Sequence, residues 1–151
     1  MHTMPISGGR VVDIPFGPGG PRPGRANGFE VAMATITPST AENEIIYQFG
    51  LTAPPAAALQ SVQVEDITDD KPYLFVDDQH PWLTENRWHA VSKPLAAGDP
   101  RLAWIYQVTP AVRIYRFTLI EASGRRSVLY QVTAYPEFIK VTVRRKWGEK
   151  Y

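Results

Sequence analysis

The stretch Val112–Val143, VRIYRFTLIEASGRRSVLYQVTAYPEFIKVTV, contains two alternating runs, a short polar break and a third run after Pro136. In the first run Tyr115, Phe117 and Leu119 share a face, and in the second Val128, Tyr130, Val132 and Ala134 do. Successive side chains leave a strand in opposite directions, so a period of two marks strands buried on one side. The break at Ser123-Gly124-Arg125-Arg126 is short and carries a glycine, which folds the two runs into an antiparallel hairpin. The run after Pro136 is expected to extend this meander as a further strand.

Outward from the meander the same period recurs. Glu44–Thr52 places Ile45, Tyr47, Phe49 and Leu51 on one face and Ile46, Gln48 and Gly50 on the other, the pattern of a central strand. Phe29, Val31 and Met33 mark a strand before it, closed by Thr37-Pro38-Ser39-Thr40. Ala53-Pro54-Pro55 breaks the pattern because proline donates nothing to a ladder. Val62 and Val64 mark the next strand, and a polar turn over residues 65–71 leads to a short one at Tyr73–Val76. Asp77–Pro100 contains Pro81, Pro94 and Pro100 and reads as a long crossover with a short strand near Arg87–Val91. Leu102, Trp104, Tyr106 and Val108 alternate as another strand, Trp104 being suited to a core between two sheets, and Thr109-Pro110 turns the chain. Seven or eight short strands without an amphipathic helix predict an all-β chain, an antiparallel immunoglobulin-like β-sandwich. A closed or partly open β-barrel is the alternative.

Residues 1–28 are rich in glycine and proline and read as an arm or linker, with the sandwich over 29–147 and a short tail over 148–151. Within the arm Val11, Val12, Ile14 and Phe16 form an apolar island able to dock on a sheet edge or a partner, or to be lent to a second copy.

A chain of 151 residues with 44% hydrophobic and 21% charged residues suits one domain. It contains no cysteine, so disulfides and thiolate chemistry are excluded. Neither a membrane-length apolar run nor a signal-peptide layout is present, so a cytoplasmic location is expected. The net charge of +1 disfavours a dedicated nucleic-acid binder. Charge is nonetheless divided: Glu65, Asp66, Asp69, Asp70, Asp77, Asp78 and Glu85 precede a basic final third containing Arg113, Arg116, Lys140 and Arg144. The two regions can complement each other within one chain or between copies.

Four groups could carry chemistry. Asp77, Asp78, His80 and His89, with Glu85 near, offer carboxylates and imidazoles for a divalent metal or for acid/base work, though at no diagnostic spacing. Glu65, Asp66, Asp69 and Asp70 could converge on calcium, but lack the loop signature with its glycine. Arg144, Arg145 and Lys146 precede Trp147 and Tyr151, a mixture that can meet phosphates and stack on bases. Ser92, His89 and Asp99 supply the residue types of a nucleophilic triad without a positioning motif. No cofactor motif occurs, and none is expected to be bound. Trp82, Trp88 and Trp147 fall outside the strand pattern and, with Phe16, are the aromatic candidates for a contact surface. The expectation is a non-enzymatic module that binds a protein partner or itself through end loops, an open sheet edge or the arm. A metal-dependent or hydrolytic protein using the Asp77–His89 crossover is the alternative. No small-molecule ligand is indicated by any motif.

Overall fold

The structure, a computed structural model, describes residues 2–39, 44–107 and 111–147. Among them the strands are β1 (His2–Pro5), β2 (Val11–Ile14), β3 (Phe16–Gly17), β4 (Gly20–Pro21), β5 (Arg25–Ala26), β6 (Phe29–Pro38), β7 (Glu44–Thr52), β8 (Leu59–Asp66), β9 (Tyr73–Asp78), β10 (Arg87–Val91), β11 (Leu95–Ala96), β12 (Ala111–Glu121) and β13 (Arg126–Tyr135). An α-helix, α1 (Glu137–Lys146), follows them, and 3-10 helices lie at Ser7–Gly9 and Pro100–Tyr106. Val108, the turn at Thr109-Pro110, Thr40 and the tail over 148–151 with Tyr151 lie outside the described residues.

Two antiparallel sheets face each other. One has the order β10-β7-β6-β5, with β11 also on β7; the other has the order β13-β12-β8-β9. They do not close into a barrel. β7 is central, as its double alternation requires, and its buried face of Ile45, Tyr47, Phe49 and Leu51 packs in one core with Val62, Val64, Tyr115, Phe117 and Leu119 of the opposite sheet. Tyr47 and Phe49 meet the Tyr115 ring edge-on at 5.9 and 5.7 Å, and Phe49 meets Phe117 at 5.8 Å. Each such pair contributes about 0.5–1.5 kcal/mol beyond its area.

The hairpin of β12 and β13 holds Phe117 opposite Leu129 and Ile114 opposite Val132. Its second strand is turned over relative to the expected facing. Leu129 and Tyr135 enter the main core, whereas Val132 and Tyr130 face outward. Both sets of β13 alternate acceptably, and the register against Tyr115, Phe117 and Leu119 selects the odd-numbered one.

Two expected strands are helical. Asp99 accepts a hydrogen bond from the Arg101 backbone N–H (2.9 Å), Pro100 occupies the first turn, and Leu102, Trp104 and Ile105 are buried, so residues 100–106 wind as a 3-10 helix. After Pro136 the chain forms α1, which buries Lys140, Val143, Arg144 and Trp147, with Ile139 packed beside them. These positions recur at three- and four-residue steps, the spacing of a helix face. The β-branched Ile139, Val141, Thr142 and Val143 imitate a strand, but alternation would put Lys140 and Val143 on opposite faces, whereas α1 buries both on one side.

The glycine- and proline-rich beginning is not devoid of ladders. β1 pairs with β2 from His2–Ile14 to Pro5–Val11, and β3 pairs with β4. Val12 and Ile14, with Ile6, pack on Ile67, Ile114 and Val132, so the apolar island covers the outer face of its own sheet. Further along, the Gly24 N–H donates to Gln131 Oε1 (3.1 Å), Asn27 Nδ2 to Ser127 Oγ (2.7 Å), and Thr133 Oγ1 to the Ala34 carbonyl (2.7 Å). These bonds seal the β6–β13 side of the sandwich. The opposite side, between β9 and the β10–β11 edge, holds a groove of about 400 Å³ beside Phe75, Leu95, Lys93 and Arg101.

Candidate binding surface

The loop from β9 to β10 crosses from one sheet to the other and is tied at both ends. At its start Asp78 accepts from the His80 backbone N–H (3.0 Å) and from Trp88 Nε1 (2.9 Å). The second bond joins the two sheets. At its end Thr84 and Arg87 exchange two backbone hydrogen bonds of 2.9 Å around Glu85 and Asn86, whose φ values of 51° and 61° make a two-residue left-handed turn. Asn86 also accepts from the Ala53 backbone N–H (2.8 Å), and Leu83 packs against the core. The residue left outside is Trp82, whose surface is 80% exposed.

The neighbouring loop is equally constrained. Ala57 N–H donates to the Pro54 carbonyl (3.2 Å), closing a turn with Ala56 at φ 62°, a position that ordinarily takes glycine. Trp82 stands as a ridge between two shallow concavities. One, of about 280 Å³, is lined by Ala57, Ala58, Leu59 and Leu83, and the other, of about 610 Å³, by Leu59, Gln60, Gln79 and His80, with Pro81 bordering both. Alanine, leucine and proline side chains border one flank, and the amides of Gln60 and Gln79 with the His80 imidazole border the other. Such a surface offers both packing and hydrogen bonding.

The other aromatic candidates lie elsewhere. Trp88 is 1% exposed and Trp147 is buried near Tyr106, so both belong to the core rather than to a contact surface. Phe16 is half-buried with its ring 4.1 Å from that of His2.

The proposed metal ligands are dispersed. Asp77 accepts from the side chains of Gln63 and Gln79, and Asp78 is engaged by Trp88 and the loop. His80 is exposed on that loop, and His89 is exposed on the face of β10 opposite buried Trp88. Among the described residues no three of His, Cys, Asp and Glu are placed to hold one metal ion. The triad residues do not meet as a triad either. Ser92 is buried, accepts from the Tyr47 N–H (2.9 Å) and donates to the Lys93 carbonyl (2.9 Å), while Asp99 grips Arg101. Ser92 bridges the gap between β10 and β11, where Pro94 interrupts pairing.

The acidic set faces arginine. Arg113 Nε donates to Asp66 Oδ2 (2.9 Å) and its terminal nitrogens to Asp69 (3.2 and 2.8 Å), and Arg116 pairs with Glu65 at 2.9 Å. The divided charges therefore complement each other within the chain, across the β8–β12 ladder. Burial opposes the charge on Arg113, but its hydrogen bonds to Asp69 and Asp66 and the attraction of their charges outweigh it and hold the guanidinium above its ordinary value. Of the basic residues of α1, two are turned inward: Lys140 Nζ donates to the Gln107 carbonyl, Arg144 Nη1 donates to the Ile105 carbonyl (3.0 Å), and both pair with Glu137, while Arg145 is exposed. Cations placed on the last carbonyls of the 3-10 helix satisfy groups that its short ladder leaves open.

Sequence reasoning singled out Trp82 because it breaks the strand pattern. It missed the buried polar layer formed by Arg113, Asp66 and the Tyr115–Tyr135 hydroxyl pair (2.8 Å). The only available signal was an arginine at an inward position of an otherwise apolar run. No helix among the described residues is long and apolar enough to cross a membrane. The sequence matches no family model, and no curated protein is significantly similar to it.

Proposed function

We propose that the chain is a non-enzymatic binding module of immunoglobulin-like topology that engages a protein partner through the end of the sandwich bearing Trp82. The observation that carries this reading is an exposed tryptophan on a loop fixed by hydrogen bonds at both ends. Tryptophan is enriched among residues that dominate interface energy, and a loop already held in place loses little entropy on binding. The immunoglobulin-like reading is supported by strand order. With β6, β7, β8, β9, β10, β12 and β13 taken as successive strands, the first, second and fifth share one sheet, and the third, fourth, sixth and seventh share the other. Loops at the ends of such sandwiches are common recognition surfaces.

The test compares the full chain with Trp82→Ala as bait in a lysate of the source organism. A protein retained by the full chain and lost with Trp82→Ala, at unchanged melting temperature, supports the reading. Retention of the same protein by both baits places the contact elsewhere.

A further inference from the structure

Residues 2–14 make their apolar contacts in a small core of their own. Ile6, Val12 and Ile14, with Met4 beside them, meet Ile67, Ile114 and Val132, and none of these belongs to the main core between the sheets. Ser7 adds a backbone hydrogen bond to the Ile67 carbonyl (2.7 Å) and side-chain bonds to the Ile67 and Asp69 carbonyls. The hairpin is a separate plug in a separate socket.

What joins plug to body is unusual. Pro15–Gly24 contains four prolines and four glycines, and only Phe16 and Arg22 are other residues. To seat its own plug the chain folds this stretch back through the two-pair ladder of β3 with β4, with Gly20 at φ 109° and one further backbone bond from Arg22 N–H to the Pro15 carbonyl (2.9 Å). Proline-rich segments favour the extended conformation, so the fold-back works against local preference. Beyond it the chain is fixed: Gly24 bonds to Gln131, its carbonyl accepts from Val31 N–H (2.9 Å), and a Cβ at Gly24 would strike the Tyr130 carbonyl. Opening therefore stops at Gly24 and frees the nine residues Pro15–Pro23, so that the ten Cα steps from Ile14 to Gly24 span up to about 33 Å when extended.

We propose that residues 2–14 exchange between two copies of this chain, each plug seating on Ile67, Ile114 and Val132 of the other copy. Exchange preserves every plug contact and differs from the closed monomer only in the hinge and the entropy of association. The hinge composition favours the extended, exchanged form. The socket is completed by the second copy's hairpin, and the surface around Trp82 is not involved.

Refolding at low and at high protein concentration, followed by size-exclusion chromatography with light scattering, tests the proposal. The full chain refolded at high concentration is expected to yield a species of doubled mass that reverts slowly on dilution. Removal of residues 1–14 should abolish it. Because that truncation uncovers apolar surface, a second variant lacking residues 17–20 keeps every plug contact while preventing the fold-back. It should shift the monomer–dimer equilibrium towards dimer by at least about tenfold. A deletion variant that stays monomeric at every concentration, or a dimer that survives removal of residues 1–14, overturns the proposal.

Discussion

Arg113 reaches from β12 to Asp66 at the end of β8, Nε to Oδ2 at 2.9 Å, with the two side chains 3% and 0% exposed. Asp66 also accepts from the Thr68 N–H (3.0 Å) and hydroxyl (2.7 Å), and Thr68 Oγ1 accepts from the Ile114 N–H (2.8 Å). The pair thus holds the turn on which Ser7 docks. Removing one partner leaves a buried charge without its counterpart, which costs about 3–5 kcal/mol. Arg113→Met should lower the melting temperature by roughly 6–20 °C, at about 2–4 °C per kcal/mol for a chain of this size. Thermal unfolding of Arg113→Met, Asp66→Asn and the double variant checks this. The double variant should regain part of the loss, because the amide Oδ1 at position 66 still accepts from Thr68 while neither buried charge of the pair remains.

Gly24 and Gly19 make a matched pair of substitutions. A Cβ at Gly24 would meet the backbone of Tyr130, whereas at Gly19 it would meet nothing within 4 Å. Gly24→Ala should destabilise by about 1–3 kcal/mol, as overpacking does, and Gly19→Ala should stay within about 0.5 kcal/mol of wild type. Urea unfolding of the two variants reads the difference.

Acid should loosen the end of the molecule formed by the 3-10 helix and α1. The Arg101 side chain holds the Asp99 carboxyl below its ordinary value, and Lys140 and then Arg144 do the same for Glu137. The unfolded chain takes up these protons first, so the stabilisation is complete above about pH 5 and is lost as pH falls through and below about 4. Amide hydrogen exchange at falling pH, corrected for intrinsic rates, should show protection lost in residues 100–107 and 137–147 before the β7 and β12 amides.

Base acts on the opposite side of the range. Burial raises the phenols of Tyr47, Tyr115 and Tyr135 well above their usual value. They stabilise the fold below about pH 10, and that stabilisation is lost as pH climbs beyond it. In a phenolate absorbance titration at least three of the seven tyrosines should ionise only as the chain unfolds.

The β7 strand, the 112–135 hairpin and the aromatic core were legible because each alternates against a clear polar counterpart. The facing of β13 was not, since Val128, Tyr130 and Val132 are as apolar as Leu129 and Tyr135, and only pairing with Phe117 decides between them. The helix after Pro136 was hidden by β-branched residues, and its inward Lys140 and Arg144 make sense only once the 3-10 carbonyls are in place. Local preference lost to tertiary contact at both positions. The Gly/Pro-rich beginning was misread in its local structure because its hairpins depend on Ile67, Ile114 and Val132, which lie far along the chain. At the candidate surface, Trp82 was visible as an aromatic off pattern, but its exposure and the burial of Trp88 and Trp147 follow from packing alone.

That contrast makes one measurement decisive. Of the four tryptophans, Trp88, Trp104 and Trp147 are buried and Trp82 is exposed, so acrylamide quenching of the native protein reports on Trp82. Measured with and without the protein retained by the full chain, and with a tryptophan-free fragment of that partner where needed, the accessible emission should vanish and shift to the blue on binding. Quenching that is unchanged in the saturated complex would contradict the account, because the partner would then sit away from Trp82.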